Sequence, residues 1–306
     1  MPSFAALMMK MQMHVAKPIV RFTGIEASRK AQDALGKLST MALESVVNFT
    51  DVPFDEFSAS MAVPVESAED KTHVVLYIHG GGYTAGGLDY AKGFGGVLAA
   101  ATKVSMFCVA YRLAPEHKYP DALNDVMKAY EYLLEQGYKP ENIAFAGESA
   151  GGGLIYCLAH RCKDEGKPLP KCMVGISPWT DLTMSGNSYQ NNVLRDPSLC
   201  RESLAYYVLS YAAGHEKSPY VSPIFGDFKG FPPSMLFAGG DEILLDDSRT
   251  LYERLLEADC DASLTIEDGM WHVYPLYGTP EGKKAVAQMA AFIREQLGLE
   301  QTDVPD

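Results

Sequence analysis

Ile143-Ala144-Phe145-Ala146-Gly147-Glu148-Ser149-Ala150-Gly151-Gly152-Gly153-Leu154 runs from a short apolar strand signal, through a turn of small residues, into a helical stretch that continues to Asp164. The G-x-S-x-G pattern at 147–151 therefore lies directly after a strand and directly before a helix. A sharp turn of this kind lifts a serine hydroxyl above a sheet, and small flanking residues relieve the crowding. The helix that begins there also aims backbone N–H groups at the same point. Ser149 is accordingly read as a nucleophile.

Outward from this stretch, short apolar runs alternate with helical patterns. Strands are expected at 73–79, 104–111, 173–176, 234–238 and 263–267. Helices are expected after Pro120, at Leu245–Ala258 and at Glu281–Leu297. Apolar runs without alternation suit strands buried on both faces, and the order predicts an α/β fold with a mostly parallel sheet flanked by helices. Residues 51–65 alternate and carry two prolines, as an edge strand or hairpin would. Two parts stand outside this order. Residues 1–45 read as N-terminal helices, with Phe4, Leu7, Met8, Met11 and Val15 forming a face that covers something. Residues 181–222 read as an insertion into a core domain spanning 46–306.

His79-Gly80-Gly81-Gly82 follows the strand at 73–79. Glycines there let the backbone approach a ligand closely, and their N–H groups, with that of Ala150, can hold a developing oxyanion. A serine needs a base held by a carboxylate. In this fold class the chain order is Ser, acid, His. His160 lies within the helix after Ser149 and His215 in the insertion, which leaves His272, in the loop after the strand at 263–267. For the acid, Asp241 leaves the strand at 234–238 through Gly239-Gly240. Asp246 and Asp247 open the next helix and read as capping or structural residues.

The stretches HGGGY (79–83), YRLAPEHKYPDAL (111–123), GESAGGGL (147–154), SPWTDLT (177–183), GGDEILLDDS (239–248) and WHVYP (271–275) resemble those of the hormone-sensitive-lipase-like family of α/β-hydrolases, the bacterial family IV esterases. The resemblance spans 79–275 in the family's order. It implies a triad of Ser149, Asp241 and His272, an oxyanion hole from Gly81, Gly82 and Ala150, and a supporting role for His79 and Gly80. It also implies a helical cap built from the N-terminal segment and the 181–222 insertion. Arg112 and Glu116 are expected to form an ion pair. Glu148 departs from the Asp or Thr common in the family. It is placed with Tyr83, Leu194, Tyr206, Tyr207 and Tyr211 as a lining of the substrate pocket. The implied activity is that of a carboxylesterase on short- to medium-chain acyl esters. A lactone, amide or acetylated-metabolite hydrolase with the same triad is the alternative, and a non-catalytic receptor the remote one.

Composition sets outer limits. At 47 % hydrophobic and 21 % charged residues, the 306-residue chain is globular, with one large core. A formal charge of −13 disfavours nucleic acid and anionic lipid. No apolar run is long enough for a membrane span. The six cysteines match no zinc module, so neither metal nor organic cofactor is expected. As buried free thiols they fit a reducing, cytoplasmic setting. The expected partners are a small-molecule ester and, at most, a second copy of the chain as a homodimer.

Overall fold

The computed structural model describes residues 1–20, 24–212 and 214–300. Residues 21–23 of the N-terminal segment, residue 213 of the insertion and residues 301–306 lie outside that description. The elements in chain order are α1 (Phe4–Val20), α2 (Ile25–Leu43), β1 (Val47–Pro53), β2 (Ser58–Pro64), β3 (Val74–Ile78), α3 (Leu88–Thr102), β4 (Ser105–Ala110), α4 (Asp121–Glu135), β5 (Ile143–Glu148), α5 (Ala150–Asp164), β6 (Cys172–Ile176), α6 (Ser188–Asn191), α7 (Arg201–Tyr211), β7 (Ser234–Gly239), α8 (Leu245–Glu257), β8 (Ala262–Glu267) and α9 (Pro280–Gln296).

The strands form one sheet of eight among the described residues, ordered β1-β2-β4-β3-β5-β6-β7-β8. From β4 to β8 all neighbours are parallel; β1 and β2 form an antiparallel hairpin added at one edge. Strand alternation divides the core between two faces. Val74, Leu76, Ile78, Phe107, Ile143 and Phe145 face α4, α5 and α8, whereas Val75, Tyr77, Met106, Cys108 and Ala144 face α3 and α9. Both faces are covered, so the strands carry continuous apolar runs rather than alternating ones. All six cysteines are buried and unpaired.

The N-terminal helices attach differently. α2 packs tightly on α3 at Gly36, where an added Cβ would lie 2.1 Å from the Asp89 carbonyl oxygen. α1 turns the opposite way from the expected one. Phe4, Leu7, Met8, Met11 and Val15 face outward and are 38–79 % exposed, while Ala6, Met9 and Met13 contact the core. α1 carries only four polar side chains in 17 residues, so apolar spacing alone does not single out its inner face. Its inner side is set by contacts: Ser3 hydrogen-bonds Glu281, and Lys10 and Lys17 point inward.

The Arg112–Glu116 pair is also corrected. Arg112 instead grips the fully buried Asp125 at 2.7 Å, and Glu116 pairs with Arg29 of α2 at 2.7 Å. The Arg29 guanidinium holds the Glu116 carboxyl down at about 2. Arg29 also donates to the carbonyls of Thr84 and Ala114, fastening α2 beside the oxyanion loop.

Candidate active site

The chemistry-bearing residues gather at the C-terminal ends of β3, β5, β7 and β8, where an open parallel sheet presents its loops. Ser149 sits at φ 54° and ψ −121°, a conformation that side chains rarely adopt. The turn is this tight because β3 passes close by. A Cβ on Gly151 would lie 2.2 Å from the Ile78 carbonyl oxygen, and one on Gly147 2.6 Å from that of Gly151. These contacts explain the small residues of the motif. Ala150 is the first residue of α5, so its N–H has no intrahelical partner and is free for a ligand.

His272 is 4 % exposed and its Nε2 lies 2.8 Å from Ser149 Oγ. Its Nδ1 faces Glu242, not Asp241: the distance to Glu242 Oε2 is 3.4 Å, within ion-pair range but not aligned as a hydrogen bond. Glu242 is fully buried, and its Oε2 accepts a hydrogen bond of 2.6 Å from Ser177 Oγ. Ser177 Oγ in turn accepts from the N–H of Val273, at 2.9 Å, so one hydroxyl links the acid to the residue after the histidine. Ser177 opens SPWTDLT, but the sequence reading gave it no role.

Asp241, the expected acid, turns away from the imidazole. Its two oxygens pair with Lys10 of α1 and with Arg195, the latter at 2.5 Å. The reason is local. Adjacent residues leaving a strand point to opposite sides, and the loop after β7 is held so that the second carboxylate faces inward. Asp247 is buried and accepts from the N–H groups of Thr180 and Asp181, while Asp246 accepts from that of Ser188. Both are structural, as expected.

The glycine loop after β3 rests on positive-φ glycines and buried polar support. Gly81 and Gly82 have φ of 102° and 61°, open to glycine without cost. A methyl group on Gly82 would meet the Tyr207 ring at 2.5 Å, which places Tyr207 directly over the loop. His79 is buried, stacks on Tyr111 at 4.4 Å and reaches the Gly80 carbonyl at 2.7 Å. Burial pushes its imidazole down to about 4, so it is neutral and Nδ1–H donates.

Glu148 is not a pocket residue. It lies fully buried beneath the loop, accepting from Gly80 N–H at 2.6 Å and Tyr77 O–H at 2.5 Å, with Tyr90 as a further donor. Burial raises its carboxyl to about 7, with these donors pulling the other way. Between its unfolded value of 4.5 and about 7, the native state binds more protons than the unfolded chain. Stability contributed by this group is therefore lost as pH rises through that window. Glu148→Gln removes the titration, so its Tm relative to the parent protein should climb from pH 5 to pH 8. Thermal melts at both pH values check this, and a constant difference would show that the carboxyl does not titrate there.

The other expected pocket residues separate. Tyr83 and Tyr211 are both 1 % exposed and stack at 3.8 Å inside the core. Leu194 is 89 % exposed, on the outer surface of the insertion. Tyr206 is half-exposed and packs edge-on against Tyr207. Of the six, Tyr207 covers the glycine loop at Gly82, while Glu148 supports it from beneath at Gly80.

A twisted parallel sheet with a strained serine at one strand exit and a histidine at another defines an α/β-hydrolase. A family model for the alpha/beta hydrolase fold matches residues 75–276. The chain is 34 % identical over 232 residues to an esterase of Acinetobacter venetianus, covering 74 % of this chain and 77 % of the relative. It is 35 % identical over 237 residues to an acetyl-hydrolase of Streptomyces hygroscopicus, covering 76 % and 79 %. The crystal structure of an esterase from the bacterial hormone-sensitive lipase family superposes with a TM-score of 0.89 at 32 % identity, covering 97 % of this chain and all of that one. EstE5 soaked with p-nitrophenyl butyrate superposes at 0.85 with 31 % identity, covering 94 % and 98 %. The chain belongs to the bacterial hormone-sensitive-lipase family of α/β-hydrolases, and it is a carboxylic ester hydrolase. Its substrate is a small ester, and among the described residues no helix is long and apolar enough to cross a membrane.

Proposed function

We propose that this carboxylesterase works through a Ser149–His272–Glu242 triad on short- to medium-chain acyl esters. The observation that carries the reading is the 2.8 Å contact between Ser149 Oγ and His272 Nε2, with Glu242 on the ring's other nitrogen. His272 takes the serine proton as Oγ attacks the ester carbonyl. The oxyanion is held by the N–H groups of Gly81, Gly82 and Ala150. As the ring gains charge, the attraction to the Glu242 carboxylate grows and the 3.4 Å contact shortens, since apo geometry at such sites tightens during reaction. His272 then protonates the leaving alcohol, and a water deprotonated by the same ring releases the acid.

The acyl-chain preference follows from what stands over the site. Residues 1–45 and 181–222 act as the cap. Arg29 braces the oxyanion loop from one side, Tyr207 closes it from the other, and Lys17 bonds the insertion carbonyls of Val193 and Asp196. A roofed pocket takes a soluble ester of roughly two to eight acyl carbons more readily than a lipid surface. Acetyl, butyryl, octanoyl and palmitoyl esters of p-nitrophenol test this. The expected maximum in kcat/KM is at butyryl or shorter chains, falling at least about tenfold by palmitoyl. A maximum at palmitoyl, or a rate jump above the substrate's solubility limit, overturns the cap reading.

A further inference from the structure

The acid-bearing loop after β7 is gripped from the insertion as well as from the hydrolase core. Asn192 Nδ2 donates to the Glu242 carbonyl at 2.8 Å, and Asp196 Oδ2 accepts from Ile243 N–H at 2.8 Å. Ser188 Oγ donates to the Ile243 carbonyl at 2.8 Å. Arg195 pairs with Asp241. All four belong to the insertion. α1 then ties the insertion and the loop together: Lys17 reaches the insertion carbonyls, and Lys10 pairs with the other oxygen of Asp241. Lys10 Nζ also donates to the Gly269 carbonyl at 2.9 Å, three residues before His272. The loops of acid and base are joined again where Asp241 N–H meets the Met270 carbonyl at 2.9 Å.

We infer that Lys10, acting through Asp241, is a positioning residue for Glu242, so that the seat of the N-terminal helix sets the alignment of the acid on His272. The inference rests on Glu242 being the acid. The physical case is that Glu242 makes one side-chain hydrogen bond, to Ser177, and leaves its other oxygen without a partner. Its direction is therefore inherited from its backbone, which the clamp fixes. The Lys10 and Asp241 side chains are 18 % and 8 % exposed, and without Lys10 the buried Asp241 keeps as cationic partner only Arg195, whose side chain is 62 % exposed. The loop then shifts, and small shifts at a catalytic carboxylate are expensive in rate.

The test is a set of full-length variants assayed on p-nitrophenyl butyrate. Lys10→Met should lower kcat about tenfold with KM within about twofold of the parent. Asp241→Asn breaks the bridge from its other end and should do the same. The Lys10→Met/Asp241→Asn pair should lose no more than either single change, because residues that act as a unit are not additive. In a Glu242→Gln background, Lys10→Met should cost nothing further. Unchanged kcat in both single variants overturns the inference, and so does the same tenfold loss with and without the Glu242 carboxylate. Full activity in Glu242→Gln alone would instead sink the acid assignment, which separates the two failures.

Discussion

Ser149→Ala leaves a folded protein whose kcat on p-nitrophenyl butyrate is lower by roughly 10⁵- to 10⁶-fold. The serine hydroxyl is the atom that His272 Nε2 faces at 2.8 Å. What survives is the catalysis that binding and the oxyanion hole provide without an acyl-enzyme. The fold should be indifferent, because the strained turn is held by Gly147, Gly151 and the β3 exit rather than by Oγ. The single lost hydrogen bond is worth about 1 kcal/mol, a Tm change of about 1–2 °C. Burst kinetics and a thermal melt check both halves, and activity within tenfold of the parent would remove Ser149 from the mechanism.

Glu242→Gln should cost about 10³- to 10⁴-fold in kcat, against about tenfold for Asp241→Asn. The two residues are neighbours with the same charge, so the contrast isolates direction rather than electrostatics at a distance. An amide at 242 can present its NH₂ to the imidazole, which favours the wrong tautomer and offers no negative charge to the imidazolium. The amide at 241 only loosens the pairing with Lys10 and Arg195. Equal losses, or a larger loss at 241, would restore Asp241 as the acid. Steady-state kinetics on both variants, with circular dichroism to confirm folding, decides between them.

That the sequence reading pointed to Asp241, whereas the structure places Glu242 beside His272, has a definite physical origin. Gly239-Gly240 followed by Asp241-Glu242 shows that a carboxylate leaves β7 at the right height. Which of two adjacent carboxylates turns inward depends on how the loop is held. That is decided by Ser188, Asn192 and Asp196, some fifty residues earlier in the chain. No local pattern carries such information. The strands, by contrast, were legible because burial on both faces demands unbroken apolar runs, and Val74–Ile78 and Ser105–Ala110 are such runs. Ser149 and the glycine loop were legible because backbone crowding and positive φ exclude most other residues. The tyrosines were not, since Tyr83 and Tyr211 look the same in sequence as Tyr207. Their mutual stacking at 3.8 Å, which withdraws them from the site, is a tertiary fact.

The burial of all six thiols has a practical consequence for probing the seat of the N-terminal helix. A cysteine reacts with a maleimide or an iodoacetamide as its thiolate. Burial pushes Cys162 and Cys172 up to about 12 and Cys108 and Cys157 higher still. These four therefore offer alkylating dyes little target while the chain is folded, and Cys200 and Cys260 are shielded by burial, each 7 % exposed. Leu7 is 52 % exposed on the outward side of α1. Leu7→Cys would thus be an addressable handle, placed one turn from Lys10, and a fluorophore or spin label there would report whether that helix keeps its seat in the Lys10→Met variant, without any change to the native cysteines.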